Sequence, residues 1–291
     1  MRRTVCTSIF LAIAVALSFG SVACSSGDGS VPGPTTSEPI STVTTCNDFT
    51  DPPFNYVNGE HQEGFDPDFL RAASTAMGAT LRMSDTRFSS LIAGLQAGRC
   101  NAITSFMYIT PERAKVVDLI PYAESGAGFL VRQASGFRPQ ELTDLCGHPV
   151  STLQGGVEDA LALSTGSLGQ QCAAAGRPIA VRSLPTGVAA VQDLVAGRVD
   201  AFFMDNAGAV AFAEQYRKDD LVVSNTRLLA PVVAGIAVAK GDARWRSWFT
   251  EALRRLTDSG ELRRLYDRYG LGPVSAADVD KALAGRPAGS N

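Results

Sequence analysis

The chain has 291 residues, a formal net charge of -3, 45% hydrophobic residues and only 8% aromatics. Its length suits one large or two medium domains, and a mildly acidic balance with few rings argues against a nucleic-acid surface. His61 and His148 stand apart and no cysteine lies in a CxxC pair, which disfavours zinc, and no cofactor motif is visible.

Arg2 and Arg3 precede an apolar run over residues 9–19, a charged cap and a short greasy core that predict a secretion signal over residues 1–23. Ser21-Val22-Ala23-Cys24 resembles the lipobox at which bacterial lipoprotein precursors are cut, although Ser21 stands where Leu or Val is usual. That resemblance implies acylation of Cys24. Residues 24–41, rich in Ser, Gly, Pro and Thr, have too little to bury to offset the entropy of ordering them, so they read as a tether. The expected location is the extracytoplasmic face of the cell membrane, held by lipid.

Residues 43–46 are short and β-prone, and a turn follows through Asp51-Pro52-Pro53. Asp66-Pro67 reads as an N-cap followed by Pro at the first helical position; Phe69, Leu70, Ala73 and Met77 then recur at helical spacing until Gly78. Residues 81–83 form the next expected strand. Ser89 or Ser90 is placed to cap a helix carrying Leu91, Ile92 and Leu95, which ends at Gly98 and feeds a strand over 102–104. Strands alternating with amphipathic helices predict a mainly parallel sheet covered on both faces.

The phrase Leu95-Gln96-Ala97-Gly98-Arg99-Cys100-Asn101-Ala102 returns as Leu194-Val195-Ala196-Gly197-Arg198-Val199-Asp200-Ala201, the echo expected of two lobes built alike. In the second stretch, strands are expected at 149–153 and 201–204, after which the chain passes residues 221–223. Gly155-Gly156 is a tight turn, and helices are expected from Glu158 and over 187–195. An apolar β-run over 232–239 returns the chain to the first lobe. Trp245, Trp248, Phe249, Leu253 and Leu256 mark a closing helix, with Leu262, Leu265 and Tyr266 on another.

Taken together, Gly64-Phe65-Asp66-Pro67-Asp68-Phe69, Ile109-Thr110-Pro111-Glu112-Arg113-Ala114, Pro121-Tyr122, Leu153-Gln154-Gly155, Gly197-Arg198-Val199-Asp200-Ala201 and Gly260-Glu261-Leu262 resemble the family 3 extracellular solute-binding proteins of amino-acid ABC importers. The resemblance implies an α/β, two-lobed periplasmic-binding-protein-like fold of type II, each lobe a mainly parallel sheet flanked by helices, with a two-strand hinge. It divides the body into a first lobe at 42–130 and 232–272, a second lobe at 131–231, and a C-terminal tail at 273–291.

By the same resemblance Arg113 holds a ligand α-carboxylate, to which its planar fork is suited, and Asp205 takes an α-ammonium. Asp205 also reads as a turn or capping aspartate. Phe88 is a cleft aromatic or a core side chain, Ser105 lies in a ligand-binding turn, and Asp48 reads ligand side chains or accepts within a turn. Asp51, Phe106 and Tyr108 replace residues that are usually aromatic, small and small in turn. Gly156 and Val157 open the second-lobe helix, Val157 lacking the usual hydroxyl. A cleft with fewer hydroxyls and more rings suits an apolar side chain, or a cation meeting Asp48 and Asp51 beside Tyr108.

The expected partners are a small zwitterion, an amino acid or close derivative, and an ABC permease; the receptor is expected to be a monomer. The alternatives are a sensor subunit and a dehydratase-like enzyme using Arg113 with Glu158 or Asp205, although no nucleophile-base pair is visible. Four cysteines beyond the signal and lipobox allow three full pairings. Cys146 and Cys172 precede strands starting near Val150 and Ile179, whose beginnings share one sheet edge, so this pair is expected to bond. For Cys46 and Cys100 the family pattern implies a three-residue offset, about 10 Å along a strand, and the pairing stays open.

Overall fold

Short apolar strands that each feed an amphipathic helix dominate the computed structural model, which describes residues 39–225 and 227–285. The expected signal, Cys24 and most of the tether lie outside those residues. Among the described residues no helix is long and apolar enough to cross a membrane.

The first half runs β1 (Thr42–Asn47), β2 (Thr50–Asp51), β3 (Asn55–Asn58), β4 (His61–Glu63), α1 (Phe65–Met77), β5 (Thr80–Asp85), α2 (Leu91–Gln96), β6 (Ala102–Ile103), α3 (Pro111–Val116) and β7 (Val117–Arg132). Next come β8 (Pro149–Leu153), α4 (Val157–Ala162), α5 (Ser167–Ala174), β9 (Ala180–Leu184), α6 (Gly187–Val195), β10 (Ala201–Asp205), α7 (Asn206–Gln215) and β11 (Leu221–Val223). The chain closes with β12 (Leu229–Ala239), α8 (Ala243–Asp258), α9 (Glu261–Tyr269) and α10 (Ala276–Leu283). The last helix lies in the stretch expected as a tail, and its Ala282 packs with Ile109 and Val233.

The main sheet has the order β5-β1-β6-β12-β7-β10-β8-β9, with β11 also on β7. At one end β5, β1 and β6 are parallel, and at the other β10, β8 and β9 are parallel. Two long antiparallel strands, β7 and β12, join these halves. Residues 117–127 of β7 pair with β12, whereas 127–131 pair with β10, so Ala127 stands opposite both Leu229 and Asp205. Gly126 stands at the irregular register between Leu229 and Val232 of β12; a Cβ there would lie 2.5 Å from Leu228 Cγ and 2.8 Å from the Leu229 carbonyl oxygen.

Each half has its own apolar core. Phe65, Phe69, Tyr122, Phe249 and Tyr266 are buried between α1, α8, α9 and the first half-sheet. Phe129 and Phe203 are buried in one cluster of the second half, Phe202 and Phe212 in another. Burying one such side chain contributes roughly 1.5–3 kcal/mol.

The repeated phrase is repeated geometry. Gly98 and Gly197 have φ of 70° and 69°. Arg99 N–H donates to Gly94 O and Gly98 N–H to Leu95 O, while Arg198 N–H donates to Asp193 O and Gly197 N–H to Leu194 O. Both helices thus end in the same left-handed glycine cap before a strand.

At the start of α1 the expectation is corrected. Its N-cap is Gly64, not Asp66, with φ of 122°, and a Cβ there would lie 2.3 Å from Phe54 O. Asp66 lies inside the helix and points into the core, where Tyr122 Oη, Asn55 Nδ2 and Phe106 N–H donate to it at 2.5, 2.6 and 2.9 Å. Neither Ser89 nor Ser90 caps α2 through its side chain; a 3-10 turn over Phe88–Ser90 leads into it.

Both disulfides are closed, with Cα–Cα distances of 5.1 Å for Cys146–Cys172 and 5.7 Å for Cys46–Cys100. The register opposite Cys46 is indeed Ile103, three residues past Cys100. Offset along the sheet does not bar the bond, because Cys100 lies with Cys46 under α2, packed with Leu91 and Leu95, rather than beside it in the sheet.

Candidate functional site

In an open α/β sheet, ligands gather beyond the carboxyl ends of the strands. The loops leaving β1, β5 and β6 bring Asp51, Phe88, Phe106, Tyr108 and Arg113 to one wall of a cavity. Those leaving β8, β9 and β10 bring Leu153, Gly156, Val157, Glu158, Gly187 and Asp205 to the facing wall. The walls touch. Arg113 Nη2 donates to Gly155 O at 3.1 Å, and a Cβ on Gly187 would lie 2.9 Å from Thr50 O. Gly155 has φ of +81°, and its missing side chain leaves room for Ser89, whose Cα would lie 3.1 Å from an added Cβ.

Local sequence explains how these groups are presented. Thr110 Oγ1 accepts from Arg113 N–H and Pro111 sits at the first turn, so α3 starts where its arginine faces the cleft. Arg113 Nη1 donates to Tyr108 O at 2.8 Å, and its guanidinium carbon lies 5.5 Å from the centroid of the Phe88 ring. Phe106 has a φ of 42°, a strained conformation for a bulky residue that packing must hold. Its ring stacks on Phe54 at 3.6 Å and 11°, and its N–H is held by Asp66. Tyr108 meets Phe106 edge to face.

The cleft's charges are unequal. Among the described residues that line it, Asp51, Glu158 and Asp205 stand against one guanidinium, that of Arg113. Burial, and then the charge of Asp205, hold the Asp51 carboxyl well above its ordinary range. Burial pushes Glu158 up to about 7, although its own backbone N–H and Arg113 act the other way. Asp205 is also raised, by burial first, with the Gly208 N–H opposing and Glu158 reinforcing the shift. Burial lowers Arg113 to about 10, with Glu158 its leading opposing charge. Three acids with raised affinity for protons can release them to solvent when a cation binds beside them.

Of the ten expected ligand contacts, Asp51, Phe88, Phe106, Tyr108, Arg113, Gly156, Val157 and Asp205 line the cavity. Asp205 also caps α7, its Oδ1 accepting from Gly208 N–H at 2.5 Å. Asp48 and Ser105 do not line it. Arg87 Nη1, Thr50 Oγ1 and Phe88 N–H donate to Asp48 at 2.7, 2.8 and 2.8 Å, which occupies its carboxylate. Ser105 Oγ accepts from Asp48 N–H. Glu158, weighed from sequence only as an acid for an enzyme, enters the cleft, as do Leu153, Gly187 and Met204. The signal for Glu158 was its place two residues after the Gly155-Gly156 turn. Among the described residues, no cluster of three or more His, Cys, Asp or Glu is arranged to hold a metal ion.

The family model described as bacterial extracellular solute-binding proteins, family 3, matches residues 43–272. An L-arginine-binding protein from Pseudomonas aeruginosa is 28% identical over 238 residues, 75% of this chain and 83% of that one. The arginine-binding extracellular protein ArtP of Bacillus subtilis is 27% identical over 271 residues, covering 91% and 98%. Among solved structures, an ancestral arginine-binding protein bound to arginine superimposes with a TM-score of 0.72 at 26% identity, over 79% of this chain and 99% of its own. A mutant of ArgBP from T. maritima gives 0.69 at 30% identity, over 78% and 94%.

Proposed function

Because the chain belongs to the bacterial extracellular solute-binding proteins of family 3, we propose that it captures a cationic amino acid or a close derivative by closure of its two lobes and delivers it to an ABC importer. The observation that carries this reading is the surplus of Asp51, Glu158 and Asp205 over Arg113 in the cleft. An empty, closed cleft of that composition is poorly satisfied, and a cation supplies the missing charge. The names of the arginine-binding relatives point the same way.

The two strands β7 and β12 connect the halves, so a solute touching both walls binds the closed arrangement better and shifts the population toward it. Arg113, which reaches Gly155 across the cleft, helps to latch that state. Cys24, if acylated after export, anchors the receptor beside its permease, with residues 24–41 as the tether. The receptor acts as a monomer and breaks no bond. Calorimetric titration with L-arginine, L-lysine, their amine derivatives, L-glutamine and L-glutamate tests the reading. Binding by the cationic compounds, and at least about tenfold weaker binding of glutamine and glutamate, is the expected pattern; tight binding of glutamate with none of the cations would overturn it.

A further inference from the structure

We propose that the C-terminal helix α10 braces the cleft-facing segment over residues 108–113 and tunes the affinity of the cleft by fixing Arg113. The proposal rests on the reading of Tyr108 and Arg113 as ligand contacts. It adds two positioning residues, Val279 and Ala282, that do not line the cavity.

The helix that carries Arg113 has little of its own to hold it. α3 is six residues long and none of them is buried, whereas an isolated helix shorter than about 12–15 residues is marginal in water. Its support is therefore tertiary. Lys240 Nζ donates to Ala114 O at 2.7 Å on the outer side, and α10 meets the end where the chain enters α3.

Ala282 packs with Ile109 and Val233, and Val274 and Val279 pack against the same pair. Ile109 stands one residue before the Thr110 cap; it is 5% exposed, and its N–H donates to Val233 O at 2.8 Å. A Cβ on Gly285, just past α10, would lie 3.5 Å from Pro111 Cγ. Tyr108, next to Ile109, bridges Ala234 of β12, and its carbonyl oxygen accepts from Arg113 Nη1 at 2.8 Å. Contacts from α10 thus bear on the residues that lead directly into the cleft groups.

The brace is anchored in turn to the hinge strand β7. Glu124 and Gly272 exchange backbone hydrogen bonds at 3.1 and 3.4 Å, and Ser275 N–H donates to Glu124 Oε1 at 3.1 Å. Ser275 Oγ then caps α10 by accepting from Asp278 N–H at 3.1 Å. The family model matches residues 43–272, so α10 lies beyond the shared stretch. An arginine already held in place loses less freedom when a ligand arrives, and that saving appears as affinity.

The test uses two variants, a chain ended after Pro273 and the full-length Ala282→Glu, each made with and without Arg113→Lys. Hydrogen exchange of the empty protein should rise over residues 108–116 in both variants and stay unchanged over residues 149–162 of the second lobe. Calorimetric titration with L-arginine should show about tenfold weaker binding for each variant, but a loss below about threefold in the Arg113→Lys background. A helix with a merely structural role would lower stability and cost the same factor in both backgrounds. Unchanged exchange over residues 108–116, or equal losses in both backgrounds, overturns the inference and leaves the functional reading standing. Failure of the parent protein to bind L-arginine counts against the functional reading, and exchange over residues 108–116 then decides the brace by itself.

Discussion

Asp66 and Asp205 are both buried carboxylates, 0% and 7% exposed, yet the two regions that hold them are built on opposite terms. Around Asp66 three donors from three segments close on both oxygens: Tyr122 Oη, Asn55 Nδ2 and Phe106 N–H. Around Asp205 the donors are backbone N–H groups of its own helix start, led by Gly208 to Oδ1, no side chain from another segment donates among the described residues, and the neighbouring charged groups include other acids. Burial pushes Asp66 up to about 6 even with its donors lowering it. The lesson is that a buried acid serving the fold is satisfied from within the protein, while the cleft acids keep acceptor capacity for something that arrives.

The comparison breaks most visibly if Asp66 is truncated. Asp66→Ala strands three buried donors at once, so a stability loss of about 3–5 kcal/mol is expected in urea denaturation. A loss below about 1 kcal/mol would show that the donors have other partners and that Asp66 is not the organising acid of the first core.

Asp205→Asn should behave in the opposite way. Asparagine caps a helix as well as aspartate, so the stability of the empty protein should stay within about 1 kcal/mol of the parent. Cation affinity should fall at least about thirtyfold, because the removed charge is buried. Preserved affinity together with lost stability would make Asp205 a cap and nothing more.

A smaller effect follows from pH. Glu158 is raised from its ordinary 4.5 to about 7, so the empty folded protein holds a proton there that the unfolded chain releases. Its contribution to the stability of the empty protein is fully present below 4.5 and is lost as pH rises through about 7. A bound cation favours the ionised form, so affinity should rise several-fold between pH 6 and 8 with proton release. Titrations in buffers of different ionisation enthalpy measure that release; affinity that falls over this range would show that the cleft acids do not meet the ligand's charge.

Much of this was readable locally. The helix over Gly187–Val195 and the strand over Pro149–Leu153 follow from periodicity and turn residues, and the twin glycine caps from an eight-residue echo. Arg113, Phe106, Tyr108 and Asp205 were found in the cleft because the family resemblance carries position as well as residue type. Asp48 stands outside the cavity lining because its carboxylate is held by Arg87, 39 residues away, as well as by Thr50 and Phe88, and no local pattern announces the pairing with Arg87. Glu158 was underweighted because a glutamate in a first helical turn is ordinary until the facing wall is known.

By itself, then, the amino-acid sequence determined the order of strands and helices, the glycine turns that end them and the family to which the chain belongs. These depend on hydrogen bonds and side-chain spacing within a few residues, together with motifs whose order is preserved along the chain. The tertiary structure alone decided which acids are satisfied and which stay open, and that Cys100 comes to lie over Cys46 despite its offset in register. The physical reason is distance along the chain. Asp66 meets Phe106 40 residues on and Tyr122 56 residues on, and Arg113 meets Gly155 42 residues on. A charge's role depends on burial and on what faces it, and both are set only when separate segments pack together.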